Sequence, residues 1–519
     1  MRRPLGRRLG DPRLWLFAGV LLACTWPFPY FEKLGSPNEM SRLYLTRAVV
    51  DDGSFSLDGP VARHGHITDL ARSSGRLYSD KAPGIGLLGV PVYLAAKLLA
   101  GWRAEAVSNA LLLRLLRLVL AALPTALIVV LLFSLLERLL VERSLRLWLC
   151  TVYALGSVAY PYGVMLFGHQ AAALCAVFAF GLLSRPVPPR ARGWFLVGLA
   201  LAGAVFIEYT TVLLVLPLFL LALWRAREVW RRAAWALAGA ALVGGLLAFY
   251  HAACFGSPLD TGYAHLPHRS FAAVHQRGLF GLVTPGAGRL ADILFSPTRG
   301  LFFHSPWLLL APLGIAAGLL RPAASGWRPQ WFVLAAASLL YLAFAASLQL
   351  AAWGWSLGPR HLAPLLPFWV LGAGRLTCPG VPGRNWTRRL LWVLGLFAAA
   401  AVVTPTVVFG GFPPDFSNPL ADFTGPLLLE GCVAPSLGSA LGLDAGTAGW
   451  LFVTLVAAAL VWLLWRQLAG RLEKLCCLVA ALLLAALAFC WSGPEDAREQ
   501  RILDWVRRDV TGCTRPGEK

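Results

Sequence analysis

An all-α integral membrane protein is the fold class this chain predicts. Three observations carry it: the composition, the recurrence of long apolar stretches, and the placement of the arginines. Of 519 residues, 58% are hydrophobic and 14% charged, whereas a soluble domain carries roughly a quarter charged residues. Apolar stretches centred on 14–25, 121–136, 171–183, 391–408 and 451–465 recur along nearly the whole chain, and about 20 mostly apolar residues suffice to cross a bilayer. The formal charge of +20 comes mostly from arginine. Many of these arginines fall in short clusters between apolar runs, which marks membrane topology and argues against a nucleic-acid partner. The ten cysteines show no CxxC pair and no metal-ligand spacing, so most read as small membrane-embedded hydrophobes.

The elements follow from the arginines in order. A basic N-tail (Arg2, Arg3, Arg7, Arg8, Arg13) precedes the first apolar stretch, with no small-x-small cleavage site after it. It predicts an uncleaved first helix with a cytoplasmic N-terminus. Later clusters stand at Arg138/Arg143/Arg146, Arg185/Arg190/Arg192, Arg225/Arg227/Arg231/Arg232, Arg321/Arg328, Arg375/Arg384/Arg388/Arg389 and Arg466/Arg471/Lys474. Between adjacent clusters lies enough apolar sequence for two crossings, so all can face the cytoplasm on one condition. The stretch 84–100, broken by Gly and Pro and carrying Lys97, must lie along the outer surface as an interfacial or re-entrant helix.

About thirteen spans are then expected, near 14–31, 110–136, 146–160, 163–183, 194–207, 209–224, 233–254, 302–320, 331–350, 361–376, 390–411, 449–466 and 473–491. Outer loops fall at 32–109, 255–301, 351–360 and 412–448, with an external tail at 492–519. Residues 1–411 read as one membrane core, and 412–519 as an outer loop, two further spans and the tail. On this topology all nine histidines lie in outer loops or at outer helix ends, and Cys432 and Cys513 share the oxidising side, where they could pair. The sequon Asn385-Trp386-Thr387 falls inside and is discounted.

The first outer loop carries the densest chemistry. After Pro37, helical spacing predicts a helix over 38–50 with Asn38 as N-cap. Glu39 then sits in its first turn, either as a functional acid or as a favourable charge at the helix dipole. Further on, Tyr78-Ser79-Asp80-Lys81-Ala82-Pro83-Gly84 places an acid and a base just before the surface helix. Lys81 there could meet a lipid phosphate, and Asp80 could hold a divalent metal or position the cation. A plain surface Asp–Lys turn is the alternative.

The order of these features resembles the GT-C class of polyprenyl-phosphate-dependent glycosyltransferases, in particular the family of protein O-mannosyltransferases and the lipid A aminoarabinose transferase. Asn38-Glu39 stands where that family has an acidic pair, and Asp80-Lys81-Ala82-Pro83 resembles its acidic-Lys-Pro segment. Asn38 in place of an acid departs from the pattern. Tyr160-Pro161-Tyr162-Gly163, Leu166-Phe167-Gly168-His169, Ser296-Pro297-Thr298-Arg299 and Gly358-Pro359-Arg360-His361 fit more loosely.

The resemblance implies a GT-C fold in the inner membrane of a cell, with the active face periplasmic or extracellular. Its implied partners are a polyprenyl-phosphate sugar donor, membrane lipid and an envelope acceptor. Glu39, or second to it Asp80, would be the general base. Lys81, Arg360 and Arg299 would neutralise the leaving phosphate, while Asn38, Tyr44, Tyr78 and His169 would line the sugar pocket. A cofactor is not required; a divalent metal is compatible but lacks a clear ligand set. The competing readings are a multi-spanning transporter or lipid flippase, which would set ionisable residues at mid-membrane, and a non-catalytic envelope-assembly protein.

Overall fold

A helix stands at each expected span. The computed structural model describes residues 11–101, 107–267, 272–273, 281–321, 327–349, 353–493 and 496–513. Arg2, Arg3, Arg7, Arg8, His268 and His275 lie outside them. Through the first half run α1 (Pro12–Thr25), α2 (Pro37–Asp51), α3 (Asp58–His64), the hairpin β1 (Leu70–Ser73) and β2 (Arg76–Ser79), and α4 (Gly84–Leu99). Then come α5 (Asn109–Arg138), α6 (Arg143–Leu155), α7 (Ala159–Val164), α8 (His169–Leu183), α9 (Ala191–Ile207), α10 (Tyr209–Ala226) and α11 (Trp230–Phe255). The rest comprises α12 (Ala287–Phe295), α13 (Pro306–Leu320), α14 (Arg328–Ser347), α15 (Leu366–Arg375), α16 (Arg384–Val408), α17 (Leu420–Leu429), α18 (Ala445–Gln467), α19 (Arg471–Cys490) and α20 (Ala497–Trp505). Seven of these (α5, α10, α11, α14, α16, α18 and α19) are long and apolar enough to cross a membrane.

The two ends of the bundle differ chemically. At one end the arginine clusters meet the few acids nearby: Arg13 and Arg146 reach Glu137 at 2.7 and 2.8 Å, Arg388 reaches Glu142 at 3.3 Å, and Arg389 reaches Glu473 at 2.8 Å. Half-exposed pairs of this kind add little stability, but they tie together the N-termini of α1, α6, α16 and α19 and the C-terminus of α5. The opposite ends of these helices carry the polar loops. There Phe28 N–H donates to Pro435 O, Leu437 N–H to Trp26 O, and Ala434 N–H to Val408 O.

Small residues let helix backbones approach closely. A Cβ on Gly198 of α9 would stand 1.8 Å from Ala236 O of α11, and one on Gly239 would stand 2.2 Å from Phe195 O.

The first loop differs from its expected plan in two ways. Helix α2 starts one residue early, at Pro37, whose fixed φ suits the first helical position; Ser36 is the N-cap and its side chain makes no cap bond. Asn38 lies inside the first turn, where its amide oxygen accepts from Arg42. The second difference is the hairpin. Ser74 and Gly75 both have positive φ (48° and 78°), the combination that closes a two-residue turn between antiparallel strands. The register pairs Leu70 with Ser79, so Asp69 and Asp80 stand opposite one another one step beyond the ladder.

Helix α4 lies against α2 along its length. Thr46 Oγ1 donates to Gly86 O at 2.8 Å, and at the far end Lys97 reaches Asp51 at 2.8 Å. It therefore belongs to the loop layer beside α2.

A disulfide joins Cys432 to Cys513, pinning the C-terminal segment to the turn after α17. Arg507, buried, reinforces it through Glu430 at 2.5 Å. Exhaustive alkylation of the denatured, unreduced protein is expected to label eight thiols, and prior reduction to add two more by intact mass. No added mass on reduction would refute the bridge.

Candidate active site

Asn38 and Glu39 of the α2 N-terminus, Thr68 and Asp69 before the hairpin, Lys81 after it, Phe167, Gly354 and Arg360 all face one cavity of about 380 Å³. Pro29, Phe31, Leu34, Met165, Trp355 and Phe409 complete the wall. The lining thus combines a few charged groups with several large apolar side chains. Ligand sites commonly have this form, an apolar enclosure with a few converging polar groups.

Lys81 is the hub. Its ammonium lies 2.9 Å from Asp69 Oδ2 and 2.9 Å from Asp80 Oδ2, and 5.7 Å from the centre of the Tyr263 ring. Burial opposes its charge, but Asp69 and Asp80 outweigh burial and raise its pKa above the usual lysine value. The two carboxylates respond oppositely. Burial raises the Asp80 pKa, with Lys81 working against it. Burial also opposes ionisation of Asp69, yet Lys81, Arg360 and Arg42 together bring its pKa below the ordinary aspartate value. Asp69 therefore faces the cavity as a carboxylate. Gly262 holds the next loop against this hub: a Cβ there would lie 2.6 Å from Asp80 Cα.

Glu39 is buried and bidentate to a guanidinium. Arg117 Nε donates to Oε1 at 2.8 Å and its terminal nitrogen to Oε2 at 2.7 Å, while Leu166 N–H donates to Oε1 at 2.5 Å. A carboxylate offers about four acceptor positions, so these three bonds leave one on Oε2. Arg117 also donates to Pro29 O at 3.1 Å and lies over the Phe28 ring. The widened helical turn 118–122 begins directly after it, a feature often found at functional sites.

A third buried group joins these two. Arg42 donates to Asn38 O at 2.8 Å and lies 3.5 Å from Glu208 Oε2. His169 Nδ1 is 3.6 Å from the same oxygen. The His169 ring stacks on Phe167 and meets His361 edge-on.

Of the expected site residues, Asn38, Glu39, Lys81 and Arg360 line the cavity. Asp80 stands behind Lys81, and His169 behind Phe167. The remaining three stand elsewhere. Tyr44 is buried in α2 with its hydroxyl on His64 O and Gly65 O, and Tyr78 packs edge-on against Phe255. Arg299 sits in the turn before residue 301, where its N–H meets Ser296 Oγ.

Asp69, Arg42, Arg117 and Glu208 are the additions. Arg117 carried a usable signal, since an arginine inside an apolar span calls for a named partner. Among the described residues no group of three or more His, Cys, Asp or Glu side chains is placed to hold a metal ion.

No family model matches this chain, and no curated protein does. Among solved structures, ArnT from Cupriavidus metallidurans, bound to undecaprenyl phosphate, is similar over 92% of this chain and 74% of its own. The identity is 15% and the TM-score 0.48. A likeness at that level assigns no role to any residue here.

The buried Glu39–Arg117 pair is expected to show the asymmetry of such pairs. Arg117→Met alone should destabilise the protein by about 3–5 kcal/mol, because it orphans a buried carboxylate, while Glu39→Leu combined with Arg117→Met should recover much of the loss. Thermal unfolding in detergent checks this; equal losses for single and double variants would refute it.

Proposed function

We propose that this protein is a membrane glycosyltransferase that moves a sugar from a polyprenyl-phosphate donor to an envelope acceptor at the outer face of the membrane. One observation carries the reading. Three distant stretches of chain bring Glu39, Lys81 and Arg360 to the wall of a single cavity whose remaining lining is largely apolar. A phosphate on a lipid chain needs this combination: cations for the head, and an apolar approach for the chain.

The donor phosphate would be held by Lys81 and Arg360, the latter capable of paired hydrogen bonds to phosphate oxygens. Glu39 would accept the proton of the acceptor hydroxyl through the open position on Oε2. The acceptor oxygen bonds to the anomeric carbon as the bond from that carbon to the phosphate oxygen breaks. The departing phosphate keeps the electron pair, and Lys81 and Arg360 stabilise its growing charge. A single displacement of this kind inverts the anomeric centre. Asp80 would act through Lys81, holding the ammonium in place.

The outer location rests on the Cys432–Cys513 bridge. Disulfides persist in oxidising compartments, and the bridged segments join the loops beside the cavity, where Trp355 meets Trp505 edge-on. The buried acids and cations of the cavity stand together beside these loops, which favours a site on one face over a transport path through mid-membrane.

Purified full-length protein in nanodiscs is expected to transfer label from polyprenyl-phosphate sugars to an envelope lipid extract. Glu39→Gln should lower kcat by roughly 10²–10⁴-fold, and Lys81→Met should abolish transfer. Absence of transfer from every donor tried would sink the proposal, and full activity in Glu39→Gln would remove the base.

A further inference from the structure

Asp69 lines the cavity and touches the ammonium that faces the donor phosphate, and the mechanism above leaves it without a task. We infer that Asp69 reads the donor sugar, accepting a hydrogen bond from a hydroxyl or N–H group on the carbon next to the one bearing the phosphate. The inference rests on the glycosyl-transfer reading and deepens it by naming the class of sugar.

The geometry allows Asp69 few other roles. A lysine ammonium has three N–H donors. Asp69 Oδ2 and Asp80 Oδ2, each at 2.9 Å, take two, which leaves the third for an anion in the cavity. A phosphate seated there would share the ammonium with Asp69 and so lie beside it. In a single displacement the acceptor approaches from the side opposite the leaving phosphate, so a carboxylate on the phosphate's side cannot be the base. What it can reach is the substituent at C2, because C2 is bonded to the carbon that carries the phosphate.

Charge makes the contact selective. An ionised carboxylate only accepts hydrogen bonds, and Asp69 is held in that form by the cations around it. A hydroxyl or acetamido N–H at C2 fits between Asp69 and the phosphate and satisfies the carboxylate. A 2-deoxy sugar leaves Asp69 facing the phosphate with only the shared ammonium between the two negative groups. The contact also strengthens during reaction, since hydrogen bonds to the 2-hydroxyl tighten as positive charge develops at the anomeric carbon. Discrimination should therefore appear more in kcat than in KM.

The test compares full-length wild type, Asp69→Ala and Asp69→Asn on polyprenyl-phosphate glucose, mannose and 2-deoxyglucose. Wild type should prefer the better of the first two over the 2-deoxy donor by on the order of 10²-fold in kcat/KM, as for a hydrogen bond to a charged group. Asp69→Ala removes a partner of Lys81 and should slow both donors, but the hydroxylated donor far more, which brings the ratio near one. Asp69→Asn, close in shape and able to accept a weaker neutral bond, should fall between, and it stands in if the alanine variant fails to fold.

A wild type that transfers both kinds of donor equally well overturns the role of Asp69 and leaves the glycosyltransferase reading intact. So does an Asp69 variant that keeps the wild-type ratio. A wild type that transfers from none of the donors overturns both.

Discussion

A lysine ammonium buried between two aspartates holds the loop layer beside α2 together, and the cavity takes its shape around that contact. Charges taken out of water are costly unless paired and hydrogen-bonded, and removing one member of such a set leaves the others uncompensated. The hairpin supplies the pairing at little cost. Its two-residue turn fixes the register, and the register places Asp69 opposite Asp80. Lys81, one residue on, reaches both. Other chain segments then gather on the hub: Gly262 against the Asp80 backbone, Tyr263 over the ammonium, and Arg360 within electrostatic reach of Asp69.

The Glu39–Arg117 pair plays the matching part on the α2 side. Arg117 comes from a helix otherwise apolar enough to cross the membrane, and an arginine so placed needs a partner or water. Glu39 is that partner, and in meeting it the N-terminus of α2 is drawn onto α5 and the Leu166 amide. Glu39 and Lys81, the proposed base and phosphate ligand, are therefore fixed by separate frames, one helical and one built on the hairpin. An in-line displacement needs its base and its leaving-group cations held apart, and independent tethering keeps them so.

The helices were legible because the bilayer imposes length and apolarity on each span, and both properties are local. The arginine clusters were legible for the same reason, since each marks an end. Glu39, Lys81 and Arg360 could be picked out as charges on the loop side. Their assembly was less accessible, because a cavity wall drawn from residues 29 to 411 depends on packing that no local pattern encodes. Asp69 is the instructive omission. Its signal lay in the strand-turn-strand run from Leu70 to Ser79, where the Ser74-Gly75 turn sets which residues face each other. Reading that segment as loop hid the partner of Asp80. Tyr44 and Tyr78, which the family resemblance implied as pocket walls, are instead packed away from the cavity, Tyr44 with its hydroxyl on His64 O and Gly65 O and Tyr78 against Phe255.

A neutral residue at position 38 suits the crowding of acids around the cavity, where burial already works against the charge on Asp80. Glu39, Asp69, Asp80 and Glu208 are four acids; Arg117, Lys81, Arg42 and Arg360 are four cations in contact with them or close enough to feel their field. An aspartate in place of Asn38 would add a fifth carboxylate to this set. Arg42, which now donates to Asn38 and approaches Glu208, would be shared between two acids. The field in the cavity would turn more negative, which would oppose entry of the anionic donor proposed above. The amide keeps the hydrogen bond that orients Arg42 and omits the charge, so the departure from an acidic pair is compatible with phosphate binding and leaves Glu39 as the only acid of that pair.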